Sequence, residues 1–454
     1  MSYDSARKRK IEDVLRLRID LLVESYQENR PIIVLLPGGT GSQLDRSERS
    51  YDSGSDSVAA KFSTVWIDEG VLFGDLLTLG IDAHGHDMSD HVVVATGPIE
   101  VILDVYTSAE GHFRRRYGNY VVFPYDWRRQ VEESARFLIE FLRQLRAAIS
   151  AAHPRVAAPG RDIVLVAHSM GGLVAVLSGL QLDASGENLD EWFRLLITVG
   201  TPFYGTGNQL PCMYVGQEPF NIIYKRTALA QTIATMPGPY TLLQLDRATY
   251  LRDGPRIGLE RYPIRDAVDD SDLDPAEPAL FLRYPPWVDR DALRLASQVR
   301  RTIVGPLPAA LRDRIFHLRA GSNEKTDVAL RWRRTGADFN PETDVAFDAI
   351  KGRGDGTVPE WSARLAEVPD ERVLDLKQAN NHPMLLRHAE TLNAISEIVE
   401  QGRVAAPVET IPDAPSHAPN MAHSVETLRG IREQRILRGD LRLRDPRLWE
   451  TLIR

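Results

Sequence analysis

The chain has 454 residues, 43% of them hydrophobic, a formal net charge of −8 and one cysteine, Cys212. That size allows one large domain with insertions or two to three smaller ones. The acidic balance argues against a nucleic-acid binder, a lone cysteine excludes an intrachain disulfide, and no stretch approaches the roughly 20 apolar residues of a membrane span. The first residues carry basic groups but no uninterrupted apolar run of the secretory kind, so the expected location is the cytoplasm.

Residues 1–30 read as an amphipathic helix, with Ile11, Val14, Leu15, Ile19, Leu22 and Val23 spaced by three and four. The run "PIIVLLPGGTGSQL" (31–44) then begins with five apolar residues bounded by prolines, the pattern of a strand buried on both faces. Similar runs recur at "YVVFPYDW" (120–127), "DIVLVAHS" (162–169), "RLLITVGTP" (194–202), "RIFHLRAG" (314–321) and "ERVLDLK" (371–377). Helical patterns lie between them, most clearly at 131–153 and 171–182. Strands alternating with helices predict an α/β fold with a mostly parallel sheet covered on both faces.

Residues 31–204 and 311–402 are expected to form this core. Residues 205–310, rich in proline and acidic groups, break the rhythm and read as a cap or lid inserted between core strands. A Pro- and Ala-rich linker follows at 403–420, and an Arg-rich helical tail at 421–454.

The stretch "VLVAHSMGG" (164–172) joins a buried strand to a helix through a serine. This is the pattern of a nucleophile elbow, here Ala167-His168-Ser169-Met170-Gly171, with alanine where glycine usually stands. Small residues two before and two after Ser169 let strand and helix approach closely. The turn would hold the hydroxyl above the sheet edge, at a helix N-terminus that favours developing negative charge.

A serine needs a base, and in this architecture the acid and the histidine follow it in that order. The candidate acid is Asp355 in "GRGDGTVP" (352–359). The candidate base is His382 in "NNHPML" (380–385). His168 adjoins the serine and cannot curl back onto it, so it reads as a packing residue. His317 and His388 read as structural, one in a strand and one in a helix. An oxyanion hole needs two backbone donors. The N–H of Met170 supplies one and the glycine-rich loop the other, at Gly39 or alternatively Thr40. That loop has neither the G-K-[ST] ending of a P-loop nor the G-x-G-x-x-G spacing, which argues against a nucleotide.

With these motifs stand "PGGTGSQL" (37–44), "VWID" (65–68), "FPYDWR" (123–128), "TVGTPFYGT" (198–206) and "MPGPYTLLQL" (236–245). Together, collinear over residues 31–395, they resemble the lecithin:cholesterol acyltransferase-like group of lipases and acyltransferases. The resemblance implies an α/β-hydrolase core, an acyl-serine intermediate, a cap with a mobile lid, and fatty-acyl esters as substrates. The resulting expectation is a serine hydrolase of phospholipid or acylglycerol esters that needs no cofactor. Its alternatives are acyl transfer to a lipid alcohol, and a non-catalytic interaction protein on a hydrolase scaffold.

Asp126 precedes the serine, against the expected order, and reads as part of a structural loop. His84, His86, Asp87, Asp90 and His91 have metal-ligand chemistry, but a solvated loop is the favoured reading and no metal is expected. The stretches at 66–80 and 210–224 are candidate lid segments, with ordinary core packing at least as strong a reading. Lid and tail are the candidate contacts with a membrane surface, and the tail also suits a protein partner.

Overall fold

Ile32–Leu36 form strand β1, and none of the five side chains reaches solvent. Alternation across the strand explains this. Ile32, Val34 and Leu36 join one apolar cluster, whereas Ile33 and Leu35 join another on the opposite face. The first cluster also holds the buried stripe of helix α1 (Tyr3–Glu24: Leu15, Ile19, Leu22). The second holds Ala109, Phe113 and Tyr117 of α2 (Thr107–Tyr117). The computed structural model describes residues 3–47, 62–66, 76–88, 92–99, 105–156, 158–216, 226–244, 247–275, 277, 285–333 and 346–403.

β1 belongs to a six-stranded sheet with β2 (Tyr120–Val122), β3 (Ile163–His168), β4 (Leu195–Val199), β5 (Ile315–Ala320) and β6 (Val373–Leu376). The spatial order is 6-5-4-3-1-2, and every neighbouring pair is parallel. Each strand lies within one of the six apolar runs read from the sequence. Between "YVVFPYDW" and the structure only the length differs, because Pro124 cannot donate to a ladder and β2 ends at Val122. Helix α3 (Val131–Ala152) buries Leu138, Phe141, Leu142, Leu145 and Ile149 on the α1 face of the sheet. Helix α4 (Met170–Ala184) is buried along most of its length. The last helix, α5 (Ala389–Gln401), covers the other face with Leu392, Ile395, Ile398 and Val399. Chain direction across the sheet reverses beside β1. The carboxyl ends of β1 and β3 therefore flank a crevice, the place where open α/β sheets bind ligands.

Two small sheets flank this core. Ser42–Ser47 pairs antiparallel with Phe62–Trp66 and Val93–Pro98. Ile264–Asp266, Thr326–Trp332 and Phe347–Gly352 form the other. Within 205–310 the described helices are Gln209–Val215, Arg226–Ala234, Pro237–Tyr240, Arg247–Ile257 and Arg290–Ile303. Among the described residues, no helix is long and apolar enough to cross a membrane. The linker beyond Arg403, the Arg-rich tail and most of both lid candidates lie outside the described residues.

Candidate active site

β3 delivers Ser169 to the crevice. The strand is fully buried, and Ser169 then turns the chain with φ 52° and ψ −126°. A non-glycine residue in such a conformation stores about 1–3 kcal/mol and persists only where its surroundings over-determine it. The Ser169 N–H donates to the Val199 carbonyl (2.9 Å), and its own carbonyl accepts from the Gly172 N–H (3.0 Å). A Cβ on Gly171 would lie 2.5 Å from the Pro37 carbonyl oxygen and 2.8 Å from that of Leu36. Glycine there lets α4 start directly against the end of β1.

The structure brings Ser169, His382 and Asp355 together. Nε2 of His382 lies 2.8 Å from Ser169 Oγ, and Nδ1 lies 2.7 Å from Asp355 Oδ2. The other carboxylate oxygen of Asp355 accepts from the N–H groups of Thr357 (3.0 Å) and Val358 (2.7 Å). The carboxylate is thus anchored by its own turn with one oxygen aimed at the imidazole. The His382 N–H donates to the Asp355 carbonyl (2.9 Å), which ties the two loops at the backbone as well. Asp355 and His382 are both buried. Gly200, at φ 59°, stands beside the pair, and a Cβ there would lie 3.0 Å from Asp355 Oδ2.

The glycine-rich loop closes as a turn in which the Gly41 N–H donates to the Gly38 carbonyl (3.0 Å), with Thr40 at φ 63°. Positive φ at the third position marks a type II turn, occupied here by threonine instead of the usual glycine. The Thr40 carbonyl accepts from Nε1 of Trp66 (2.8 Å). The Gly38 N–H is taken by the Tyr106 hydroxyl (2.8 Å). Among the described residues the N–H groups of Gly39 and Met170 have no partner, and these two residues face each other, with Met170 Sδ 3.5 Å from where a Gly39 Cβ would be.

His168 does more than pack. Its Nδ1 lies 3.0 Å from the Tyr106 hydroxyl, and its Nε2 lies 3.0 Å from the His382 carbonyl oxygen. Burial, helped by the nearby His382, pushes its pKa down to about 3, so the ring is neutral. Nothing in the sequence marks Tyr106. It sits before α2 in an unremarkable "DVYTS", with no motif to mark it. His317 is buried in β5 as expected, bonded to Thr198 Oγ1 (2.7 Å) and accepting from the Leu365 N–H (3.2 Å). His388 is not inside a helix. It caps α5, its side chain accepting from the Glu390 N–H, because the preceding Pro383 turn ends at Arg387.

Asp126 stands in a buried ion cluster. Arg128 holds it through Nε (2.9 Å) and Nη2 (2.8 Å), and also binds Asp87 (2.7 Å) and the Leu79 carbonyl (2.9 Å). Burial alone would raise the Asp126 carboxyl, but the charge and hydrogen bonds of Arg128, then Arg129 and Arg7, hold it well below the usual range. Asp87 also meets Arg129 (3.1 Å), Tyr3 and the Val93 N–H (2.8 Å). The expectation of a solvated loop at 81–91 fails at this residue, whose carboxylate is buried and fully engaged by cations and donors. Asp90 and His91 lie outside the described residues. Among the described residues no cluster of three or more His, Cys, Asp or Glu side chains is arranged to hold a metal.

Residues 112–243 match the family model of lecithin:cholesterol acyltransferase. No curated protein matches the chain significantly. The chain is similar to one in the crystal structure of the Tle4-Tli4 complex, at 13% identity, covering 83% of this chain and 99% of that one with a TM-score of 0.50. It is also similar to the mature Bacillus licheniformis lipase BlEst2 (14% identity, 82% and 93% covered, TM-score 0.36). A Pyrobaculum calidifontis esterase gives 11% identity, 88% and 92% covered, and a TM-score of 0.32. The sheet order, the strand–serine–helix elbow and the family match agree. Over residues 112–243 the chain is similar to the lecithin:cholesterol acyltransferase family, and it has the α/β-hydrolase fold.

Proposed function

We propose that the chain is a serine lipase or esterase that hydrolyses fatty-acyl carboxylic esters, of phospholipid or acylglycerol type, through an acyl-serine intermediate. The observation that carries this reading is the hydrogen-bonded series Ser169–His382–Asp355 at the carboxyl edge of the sheet.

In this reading His382 Nε2 accepts the Ser169 proton as Oγ attacks the ester carbonyl carbon. The carbonyl π pair moves onto oxygen, where the N–H groups of Gly39 and Met170 stabilise it. Asp355 accepts from Nδ1–H, fixing the tautomer and stabilising the imidazolium. The C–O bond to the alcohol then breaks, and the imidazolium proton goes to the leaving oxygen. Water, deprotonated by His382, attacks the acyl-serine in the same way and releases the fatty acid with Ser169 restored. None of these steps requires a cofactor.

The family match gives acyl transfer standing as a second reading, since an alcohol replacing water in the second half would use the same groups. The test is a fluorophosphonate probe with mass spectrometry, alongside a chain-length series of p-nitrophenyl esters and phospholipid vesicles. The probe is expected on Ser169, and Ser169→Ala is expected to lose turnover by a factor of at least about 10³. Unchanged turnover in that variant overturns the assignment. A labelled alcohol acceptor separates transfer from hydrolysis.

A further inference from the structure

We propose that Tyr106 and His168 are positioning residues that lock the oxyanion loop to the loop carrying His382. This deepens the hydrolase reading and rests on it. The hydrogen bonds run in one direction. The Gly38 N–H donates to Tyr106 Oη at 2.8 Å. The tyrosine O–H is then directed at His168 Nδ1, 3.0 Å away. The other nitrogen, Nε2, meets the His382 carbonyl oxygen at 3.0 Å. A carbonyl only accepts, so Nε2 carries the hydrogen and Nδ1 is free to accept from tyrosine. The tautomer is fixed by its partners, and one buried network joins the loop after β1, the segment before α2, the end of β3 and the loop after β6.

Two glycines of "PGGTG" are explained by this network. A Cβ on Gly41 would lie 2.5 Å from Tyr106 Oη, and one on Gly38 would lie 3.1 Å from His168 Nδ1 and 2.9 Å from Ser169 Cβ. The bare Cα of Gly41 makes room for the hydroxyl, and that of Gly38 for Ser169 and His168. The network also spends the Gly38 N–H, leaving the Gly39 N–H as the unpartnered donor of the two among the described residues. Tyr106, His168 and His382 are all buried, so water does not compete for these bonds. The low pKa of His168 keeps its ring neutral and the direction of the bonds unchanged across the working range.

Displacing either loop by a fraction of an ångström would spoil attack geometry more than substrate binding. Tyr106→Phe removes one hydroxyl and keeps the ring that packs with His168. We expect its kcat to fall about 10- to 100-fold with KM within about two-fold of wild type. A purely space-filling role for His168 would be met better by leucine than by glutamine. A hydrogen-bonding role predicts that His168→Gln keeps at least about five-fold more kcat than His168→Leu.

Ser169→Ala is assayed in parallel, with thermal melts on every variant. If Ser169→Ala keeps wild-type turnover, the hydrolase reading falls and the coupling falls with it. If Ser169→Ala is inactive while Tyr106→Phe keeps wild-type kcat, or changes KM alone, only the coupling is overturned. Equal or better activity in His168→Leu than in His168→Gln overturns the role of His168. Should both His168 variants fail to fold, Tyr106→Phe decides alone.

Discussion

Gly172 stands against Thr201: a Cβ at Gly172 would lie 2.6 Å from Thr201 Cγ2 and closer still to Oγ1. The first turn of α4 is therefore pressed onto the "TVGTP" loop, whose Gly200 in turn faces Asp355 and His382. Both glycines of "SMGG" are explained by close approach, Gly171 to β1 and Gly172 to the loop after β4. Gly172→Ala is expected to destabilise by about 1–3 kcal/mol through overpacking. Adding Thr201→Ala, which deletes the two nearest atoms, should restore part of that. Among the described residues Thr201 Oγ1 has no hydrogen-bond partner, so its removal carries little penalty. Urea titrations of the two single variants and the double variant check this, and strict additivity would show that the contact is not strained.

Asp355→Asn should preserve the fold and remove most of the activity. The new side chain would keep one oxygen for the Thr357 and Val358 N–H groups that now anchor Oδ1. Facing His382, however, it would offer an NH2 group, which favours the tautomer with Nδ1 unprotonated and Nε2 carrying the proton. That tautomer cannot take the Ser169 proton. We expect kcat to drop about 10⁴-fold with an unchanged melting temperature. The fluorophosphonate labelling rate of Ser169 should fall in parallel, and near wild-type labelling would mean that Asp355 does not set the tautomer.

Much of this arrangement was legible in the chain. Doubly buried parallel strands advertise themselves as uninterrupted apolar runs, so β1, β3 and β4 could be read almost to the residue. The elbow was legible because strand, serine and glycines are contiguous. The pairing within the small sheets was not. Ser42–Ser47 mixes polar residues with a single leucine, and its pairing with Val93–Pro98 bridges about fifty positions, so no local period marks it. Tyr106 was invisible for a similar reason: its meaning lies in a hydroxyl reaching Gly38, 68 positions away. The role of His168 is hidden in the sequence because adjacency to Ser169 rules it out as the base but says nothing about which carbonyl its far nitrogen meets.

The Arg128 cluster should behave as a structural keystone without touching the chemistry. Arg128 is fully buried between Asp126 and Asp87. Its replacement by methionine would fill similar volume but leave two buried carboxylates short of their main cation. Breaking a buried pair from one side typically costs about 3–5 kcal/mol. Arg129 and Arg7, which also approach Asp126, should hold the loss toward the lower end. The expected outcome is a large drop in the urea midpoint with the KM of the remaining folded protein unchanged. An unfolding free energy within about 0.5 kcal/mol of wild type would show that these charges are not what fixes the "FPYDWR" loop.

Stability should rise with pH across the histidine range, and part of that rise belongs to the positioning network. His168 and His317 are buried and neutral, each with its pKa pushed down to about 3. Burial is the main cause in both, joined by His382 for the first and by Arg364 and Arg319 for the second. In the unfolded chain each would titrate near about 6.5. Between these values the unfolded state binds the extra protons, so unfolding free energy increases with pH. The full stability is present above about pH 6.5 and is lost as pH falls toward the folded value. Each histidine contributes a slope of up to about 1.4 kcal/mol per pH unit. Carboxylates add a loss of the same sign at lower pH, so the window of about pH 5 to 6.5 isolates the histidines best. Urea titrations across that window should show His168→Gln with a slope lower by about one proton. An unchanged slope would mean that His168 is protonated in the folded protein, in which case it could not accept from Tyr106.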